Sequence, residues 1–365
     1  MYSASVVVPW WDHTDLLSLW ENNLHHLQDA EIIFIDNGSS AEGKAALEAF
    51  CQRHPVKLLR NEQNRGYAVA NNQGARAASG DYILFFNNDI EVLKPPVQYL
   101  CELAGDGISG PGPLLTEAHD ICVEGWALCI RKSTLEAIGG WCEDYGPGYW
   151  DDVDLCHRAV LKGFPLRYSA EFVSDNWKSP TARERYEAAF IRHLGGTTGD
   201  DGRLPKNDLN LRNKALFTQK FYPQLREINL VIFPDWYQSE AQLRLEISQV
   251  LREIQSHPDA QSISLLVDSG DFADEDVSLA IAEIVMTCLM EYPSEFAEEP
   301  TVAVLEKFHQ AYWHPWRRRL HARIGLDHED GHAIAQRAEG LPIYSLEELH
   351  QKRAVLQETG NWELR

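Results

Sequence analysis

Two short polar stretches carry the residue types that chemistry needs. The first, Trp150-Asp151-Asp152-Val153-Asp154, places three carboxylates within four residues, at the start of what reads as a short helix ending at Gly163. Aspartates there cap free N–H groups and suit the positive end of the helix dipole, and glycine suits the position past the last turn. Capping accounts for one or two of the three acids. The remaining carboxylate follows an aromatic Gly-Pro loop and is placed to take a proton from a hydroxyl as a general base. The second stretch, Leu84 to Val92, runs from apolar residues into Asn87-Asn88-Asp89 and back to apolar. Its oxygens suit a hard cation such as Mg²⁺ or Mn²⁺, and a single Asp suffices when a diphosphate supplies further ligands. The ordinary alternative is a strand end closed by an Asx turn.

Other polar groups fall in similar places. Asp36-Asn37-Gly38-Ser39-Ser40 follows the apolar run Ile32 to Ile35. Taken alone it is a turn with a helix cap, while a functional reading has Asp36 accepting from the imide of a pyrimidine and the serines holding a ribose. Asn61 to Gly66 precedes a helix bearing Asn71 and Asn72. Two successive asparagines are costly inside an Ala-rich helix, so neighbouring loops or a polar ligand must engage their side chains. Trp126, Trp141, Tyr145, Tyr149 and Trp150 gather near the acidic segment, as core residues or as flat platforms for sugar rings.

The elements that position these groups alternate. Strand-like SVVVP, EIIFID, VKLLRN and DYILFFNN are separated by helical runs, which predicts a mostly parallel sheet with helices on both faces. Ligands of such sheets gather at the carboxyl ends of the strands, where the polar stretches lie. The segment 192–208 is rich in turn formers and reads as a mobile surface loop. After the helical LRNKALFTQKFY the pattern restarts with INLVIFPDW, SISLLVDSG and TVAVL, with helices between them and one from Glu306 onward. We therefore expect a domain over 1–226 and a second, smaller α/β domain over 227–365.

The 365 residues can bury a real core, and a net charge of −22 disfavours a nucleic-acid partner. The seven cysteines form no CxxC pair and sit in apolar segments, as reduced thiols of a cytoplasmic protein do. The first residues lack the features of a signal peptide, and no apolar run is long enough to span a bilayer. Contact with lipid would come from the surface, at the inner face of the membrane. The basic stretch His314 to Arg323 is one candidate for it, with a solvated helix face as the alternative.

SVVVP, FIDNGSS, NRGYAVANNQGARAASGDYILFFNND and YWDDVDLCHRAVLKGFPLRY, in this order over residues 3–175, resemble the family 2 glycosyltransferases. The resemblance implies a GT-A nucleotide-diphospho-sugar transferase fold, a Rossmann-like mixed sheet. It also implies an inverting transfer from a nucleotide-sugar donor to a glycan or lipid-linked acceptor. Pro9, Asp36, Gly38 and Ser39 would hold the nucleoside, with Asn64, Gly66 and Asn71 continuing the pocket and Asn72 nearby. Asn87 and Asn88 would lie close to the donor. Asp89 would contact a divalent cation, Mn or Mg, and the diphosphate. Asp152 would be the general base, with Asp151 the second candidate.

Two departures from the family accompany this. Asn87 replaces the first acid of the family's Asp-x-Asp. Where relatives carry a histidine after the last strand, this chain reads Phe172-Val173-Ser174-Asp175-Asn176-Trp177, with Asp175 or Asn176 as substitutes. A sugar-1-phosphate nucleotidyltransferase would need a Gly-rich basic loop after the first strand, and Pro9-Trp10-Trp11-Asp12 is not one. A degenerate, nucleotide-sugar-binding protein is the non-enzymatic alternative.

Overall fold

Runs of β-branched and aromatic residues, each closed by a polar turn, form the strands of a doubly wound first unit. The computed structural model describes residues 1–111, 122–174, 189–195, 204–292, 301–305, 317, 319–357 and 362–364. In chain order the first unit contains β1 (Ala4–Trp10), α1 (Leu17–His26), β2 (Glu31–Asn37), α2 (Ala41–Arg53), β3 (Val56–Asn61), α3 (Tyr67–Ala77), β4 (Tyr82–Phe86) and β5 (Ile90–Val92). These are followed by α4 (Val97–Ala104), β6 (Ile108–Pro111), β7 (Ala127–Arg131), α5 (Lys132–Ala137), α6 (Asp151–Leu161), β8 (Leu166–Ser169), β9 (Phe172–Ser174), β10 (Ile191–His193) and α7 (Lys206–Phe221).

The main sheet has the order β3-β2-β1-β4-β7-β6-β8. Its strands run parallel except at β7, which is antiparallel to both β4 and β6. This is the expected Rossmann-like mixed sheet. On one face Val6, Val8, Phe34, Leu84 and Phe86 pack with Trp20, Phe50 and Leu100, all fully buried. On the other, α3 lies directly on β1: a Cβ at Gly74 would stand 2.2 Å from Val7 Cγ1, so only glycine allows that approach.

A small sheet, β5-β10-β9, stands beside the main one. It corrects the reading of 192–208 as one surface loop. Ile191 to His193 pair antiparallel with β5 and parallel with β9, and α7 already begins at Lys206. The turn formers that suggested a loop lie between these elements.

The chain divides into compact units at Met1–Phe217 and Thr218–Arg365. This falls nine residues before the expected 226/227 boundary, because it cuts α7 itself. The helix begins in the first unit, where its Phe217 is fully buried, and its last turn lies in the second.

The second unit is a parallel sheet, β13-β12-β11-β14-β15, built from β11 (Ile228–Ile232), β12 (Ile263–Asp268), β13 (Thr301–Leu305), β14 (Ala322–Ile324) and β15 (Ile343–Tyr344). A short antiparallel pair, β16 (Ala354–Leu356) and β17 (Trp362–Leu364), follows. Helices α8 (Glu240–Ser256) and α9 (Asp274–Glu291) supply apolar faces to its core. The helix expected from Glu306 lies outside the described residues. So do His314, Pro315, Trp316 and Arg318 of the basic stretch. Its described members are engaged within the unit: Arg317 with the Glu339 carbonyl, Arg319 over the Tyr222 ring at 4.2 Å, and Arg323 with Glu329. Among the described residues, no helix is long and apolar enough to cross a membrane.

Candidate active site

At the carboxyl ends of β1, β2 and β3 the loops brace one another. Asp12 N–H donates to Ser39 Oγ at 2.9 Å, and Ser40 N–H donates to Asp12 Oδ1 at 2.8 Å. Asp36 is fully buried, accepts from Ser39 N–H at 3.0 Å and stands 3.4 Å from Arg60 Nε. Asn37 Nδ2 donates to Asn64 Oδ1 (2.9 Å) and to the Gly66 carbonyl (3.2 Å), while its Oδ1 accepts from Asn61 Nδ2 and Arg65 N–H. Gly38 has φ +81°, and a Cβ there would lie 2.2 Å from the Gln63 carbonyl carbon. Asp36, Gly38 and Ser39 thus hold the loops together.

Asn71 is fully buried one turn beyond Tyr67 in α3. Asn72 clamps the loop before the acidic segment: its Oδ1 accepts from Trp141 N–H, and its Nδ2 donates to the Trp141 carbonyl, each at 2.9 Å. The costly asparagine pair of α3 is explained at Asn72 by this loop contact.

Above the braced loops lies a cavity of about 110 Å³, lined by Pro9, Asn64, Asn87 and Asn88 among the anticipated residues and by Tyr67 and Pro147 among those that were not. Gly66 is not among its lining residues but packs against one of them: a Cβ there would approach Pro147 Cα at 3.3 Å. Tyr67 opens α3, so the helix start aims its ring at the strand ends. Its hydroxyl donates to the Gly125 carbonyl at 2.7 Å. Burial raises the phenol's pKa, and the charges of Asp151, Asp152 and Asp89 raise it further, so the hydroxyl is a fixed donor.

The Asn-Asn-Asp turn is held from α1. Trp20 Nε1 donates to the Asn88 carbonyl at 2.7 Å, and Asn23, fully buried, bonds the Ile90 carbonyl and Val92 N–H at 2.9 Å each. Asp89 is buried, and its Oδ1 lies 3.3 Å from Nε2 of His193. The His193 ring stacks on Trp126 with centroids 4.8 Å apart and an interplanar angle of 4°, and its Nδ1 is 3.3 Å from Ser174 Oγ. Asp175 and Asn176, the anticipated substitutes for a missing histidine, lie outside the described residues. The imidazole beside Asp89 comes instead from β10, about a hundred residues away in sequence. The buried Asp89 carboxylate and the partly buried His193 imidazole, 3.3 Å apart, are ligand types that could share a divalent cation that keeps open coordination sites. Among the described residues no third His, Cys, Asp or Glu joins them.

The three acids at the start of α6 divide by environment. Asp154 is fully buried, paired with Arg158 Nε at 2.5 Å and accepting from Tyr145 OH at 3.1 Å, so it fixes the helix. Asp151 is buried, and its Oδ2 has no hydrogen-bond partner among the described residues. Burial pushes its pKa up to about 8, with the charge of Asp152 adding to the rise, so it is mostly protonated at neutral pH. Asp152 alone is partly exposed. Its Oδ2 accepts from Gly125 N–H at 3.0 Å, and its Oδ1 accepts from Val153 N–H at 2.9 Å.

Gly125 therefore links Asp152, through its N–H, to Tyr67, through its carbonyl. Two residues just before the acids, Tyr149 and Trp150, sit in the left-handed region at φ +73° and +70°. Such backbone costs about 1–3 kcal/mol per residue and persists only where the surroundings enforce it.

Residues 5–109 match the family described as glycosyl transferase family 2. An uncharacterized glycosyltransferase of Bacillus subtilis is 34% identical over 96 residues, 25% of this chain and 24% of that protein. The pre-mycofactocin glycosyltransferase of Mycobacterium tuberculosis is 24% identical over 175 residues, 39% of this chain and 36% of that protein. A solved mannosyltransferase from Pyrobaculum calidifontis, in complex with GDP-Man and Mn²⁺, aligns at TM-score 0.40 and 18% identity, over 46% of this chain and 55% of that one. The chain thus spans only about a quarter to a third of the length of the two curated relatives. The first unit is thus a mixed α/β unit whose residues 5–109 are similar to glycosyl transferase family 2.

Proposed function

We propose that the protein is an inverting glycosyltransferase, moving a sugar from a nucleoside-diphosphate donor to a hydroxyl of a glycan or lipid-linked acceptor, with Asp152 as general base. The observation that carries this is the bridge through Gly125: the one partly exposed acid of α6 is tied by a single residue to Tyr67, which lines the cavity shared with Asn87 and Asn88.

In this reading Pro9, Asn64 and Asn87 hold the nucleoside side of the donor, and Asn88 lies next to the sugar. Asp89 and His193 would hold a divalent cation, which supplies charge stabilisation to the departing diphosphate when bound. Asp152 takes the proton from the acceptor hydroxyl as that oxygen forms its bond to the anomeric carbon and the diphosphate oxygen leaves with the bonding electrons from the opposite face. Gly125 N–H keeps one Asp152 oxygen in place. Asp151, mostly protonated at pH 7, leaves Asp152 as the partly exposed acid of the pair.

Asp152→Asn is expected to keep nucleotide affinity and to lose transfer by about a hundredfold or more. The measurement is release of nucleoside diphosphate from UDP-, GDP- and dTDP-sugars, with calorimetric binding of UDP, GDP and dTDP beside it. Full turnover in the variant would overturn the base assignment. Binding without turnover in the native protein would favour a nucleotide-sugar-binding role instead.

A further inference from the structure

We infer that Asn213, on α7 and far outside the family-matched stretch, is the positioning residue for the acid pair of α6. The inference rests on the proposed role of Asp152 for its catalytic consequence, but its structural part stands alone. Asn213 is fully buried, and its Nδ2 donates to three backbone carbonyls of the preceding loop: Tyr145 at 2.8 Å, Gly148 at 2.9 Å and Tyr149 at 2.9 Å. An amide group has two hydrogens, so three acceptors share them, and the bonds hold only while the loop keeps this shape.

The amide itself is oriented by its neighbour. Arg212 Nε donates to Asn213 Oδ1 at 2.9 Å, and the Arg212 guanidinium bonds the Gly146 carbonyl. One turn on, Phe217 packs against Trp150 at 5.4 Å and His157 at 5.3 Å, the residue before the acid pair and a residue of the same helix.

The loop needs such holding because Tyr149 and Trp150 are consecutive left-handed non-glycine residues. They turn the chain so that the Trp150 carbonyl accepts from Asp154 N–H at 2.9 Å and α6 begins with Asp151 and Asp152 where they are. On the other side Tyr67 N–H donates to the Pro147 carbonyl at 2.9 Å. The loop is thus gripped between the helix that lines the donor cavity and the helix that runs on into the second unit. Asn213 supplies most of the side-chain bonds on the second side.

The test uses the full-length protein with Asn213→Asp, which keeps the size but turns the donor into an acceptor, and Asn213→Ala. Hydrogen exchange, thermal denaturation and turnover of UDP-glucose, GDP-mannose and dTDP-glucose are measured together. Amides of residues 145–152 are expected to exchange about tenfold faster or more, while those of β1, β2 and β4 keep their rates. Turnover of whichever donor the native protein consumes should fall by about tenfold or more, with nucleotide affinity within about threefold, a split that a general loss of stability would not produce.

Unchanged exchange over 145–152, or faster exchange spread equally over the sheet, overturns the inference. So does full turnover in a variant whose loop has loosened. If the native protein consumes none of the three donors, the proposed function fails on that arm, while the exchange result still decides whether Asn213 positions the loop.

Discussion

Asp151 and Asp152 are adjacent in sequence, yet one is dry and the other meets solvent, and that difference is measurable. The Asp151 carboxyl rises from an ordinary 3.8 to about 8 in the folded protein, with burial the larger cause. Between those values the folded state keeps a proton that the unfolded chain has released. Its contribution to stability is therefore whole below about pH 4, falls as pH rises through the window and levels off above pH 8. Asp151→Asn removes that dependence, so its melting temperature should change less between pH 5 and pH 8 than the native protein's. An unchanged slope would refute the assignment of the buried proton to Asp151. At the other end of the site, His193→Ala should weaken nucleotide binding about tenfold in the presence of Mn²⁺ and leave binding in EDTA unchanged. Equal losses with and without the metal would sink the reading of His193 as a ligand.

Among the elements, the loops after β2 and β3 test how tightly the frame is built. Gly38→Ala forces a left-handed φ on alanine and drives its Cβ into the backbone at Gln63. A loss of about 2–4 kcal/mol is expected by chemical denaturation, and a change under about 0.5 kcal/mol would mean that the loops move apart freely. The turn chemistry of DNGSS, NEQNRG and the Asn-Asn-Asp turn was legible in the sequence because it is local: Asp, Asn and Gly act on their own backbone within a few residues. His193 was not, because its role depends on β10 pairing with β5 and β9, strands distant in sequence, and its Gly-rich flank looked like loop. The one local trace was the apolar Ala189-Phe190-Ile191 just before it. Asn213 was equally silent, since a helix interior asparagine has no local sign of what it holds.

At the scale of the molecule, the alternation of strands and helices made both α/β units readable, whereas the division between them fell inside a helix whose periodicity runs through it unbroken. The chain carries a net charge of −22, and several of its described arginines are committed to acids: Arg60 to Asp36 and Glu48 and Arg158 to Asp154 in the first unit, Arg323 to Glu329 and Arg337 to Asp268 in the second. A donor diphosphate would therefore enter against a negative field, and the Asn-rich loops would offer it dipoles in place of cations. The flat stack of Trp126 on His193 has an optical consequence. An ion arriving at that imidazole changes the electronic surroundings of an indole 4.8 Å away. On the proposed cation site, the emission of Trp126 should dim as a paramagnetic metal is titrated in, a built-in optical report of cation binding.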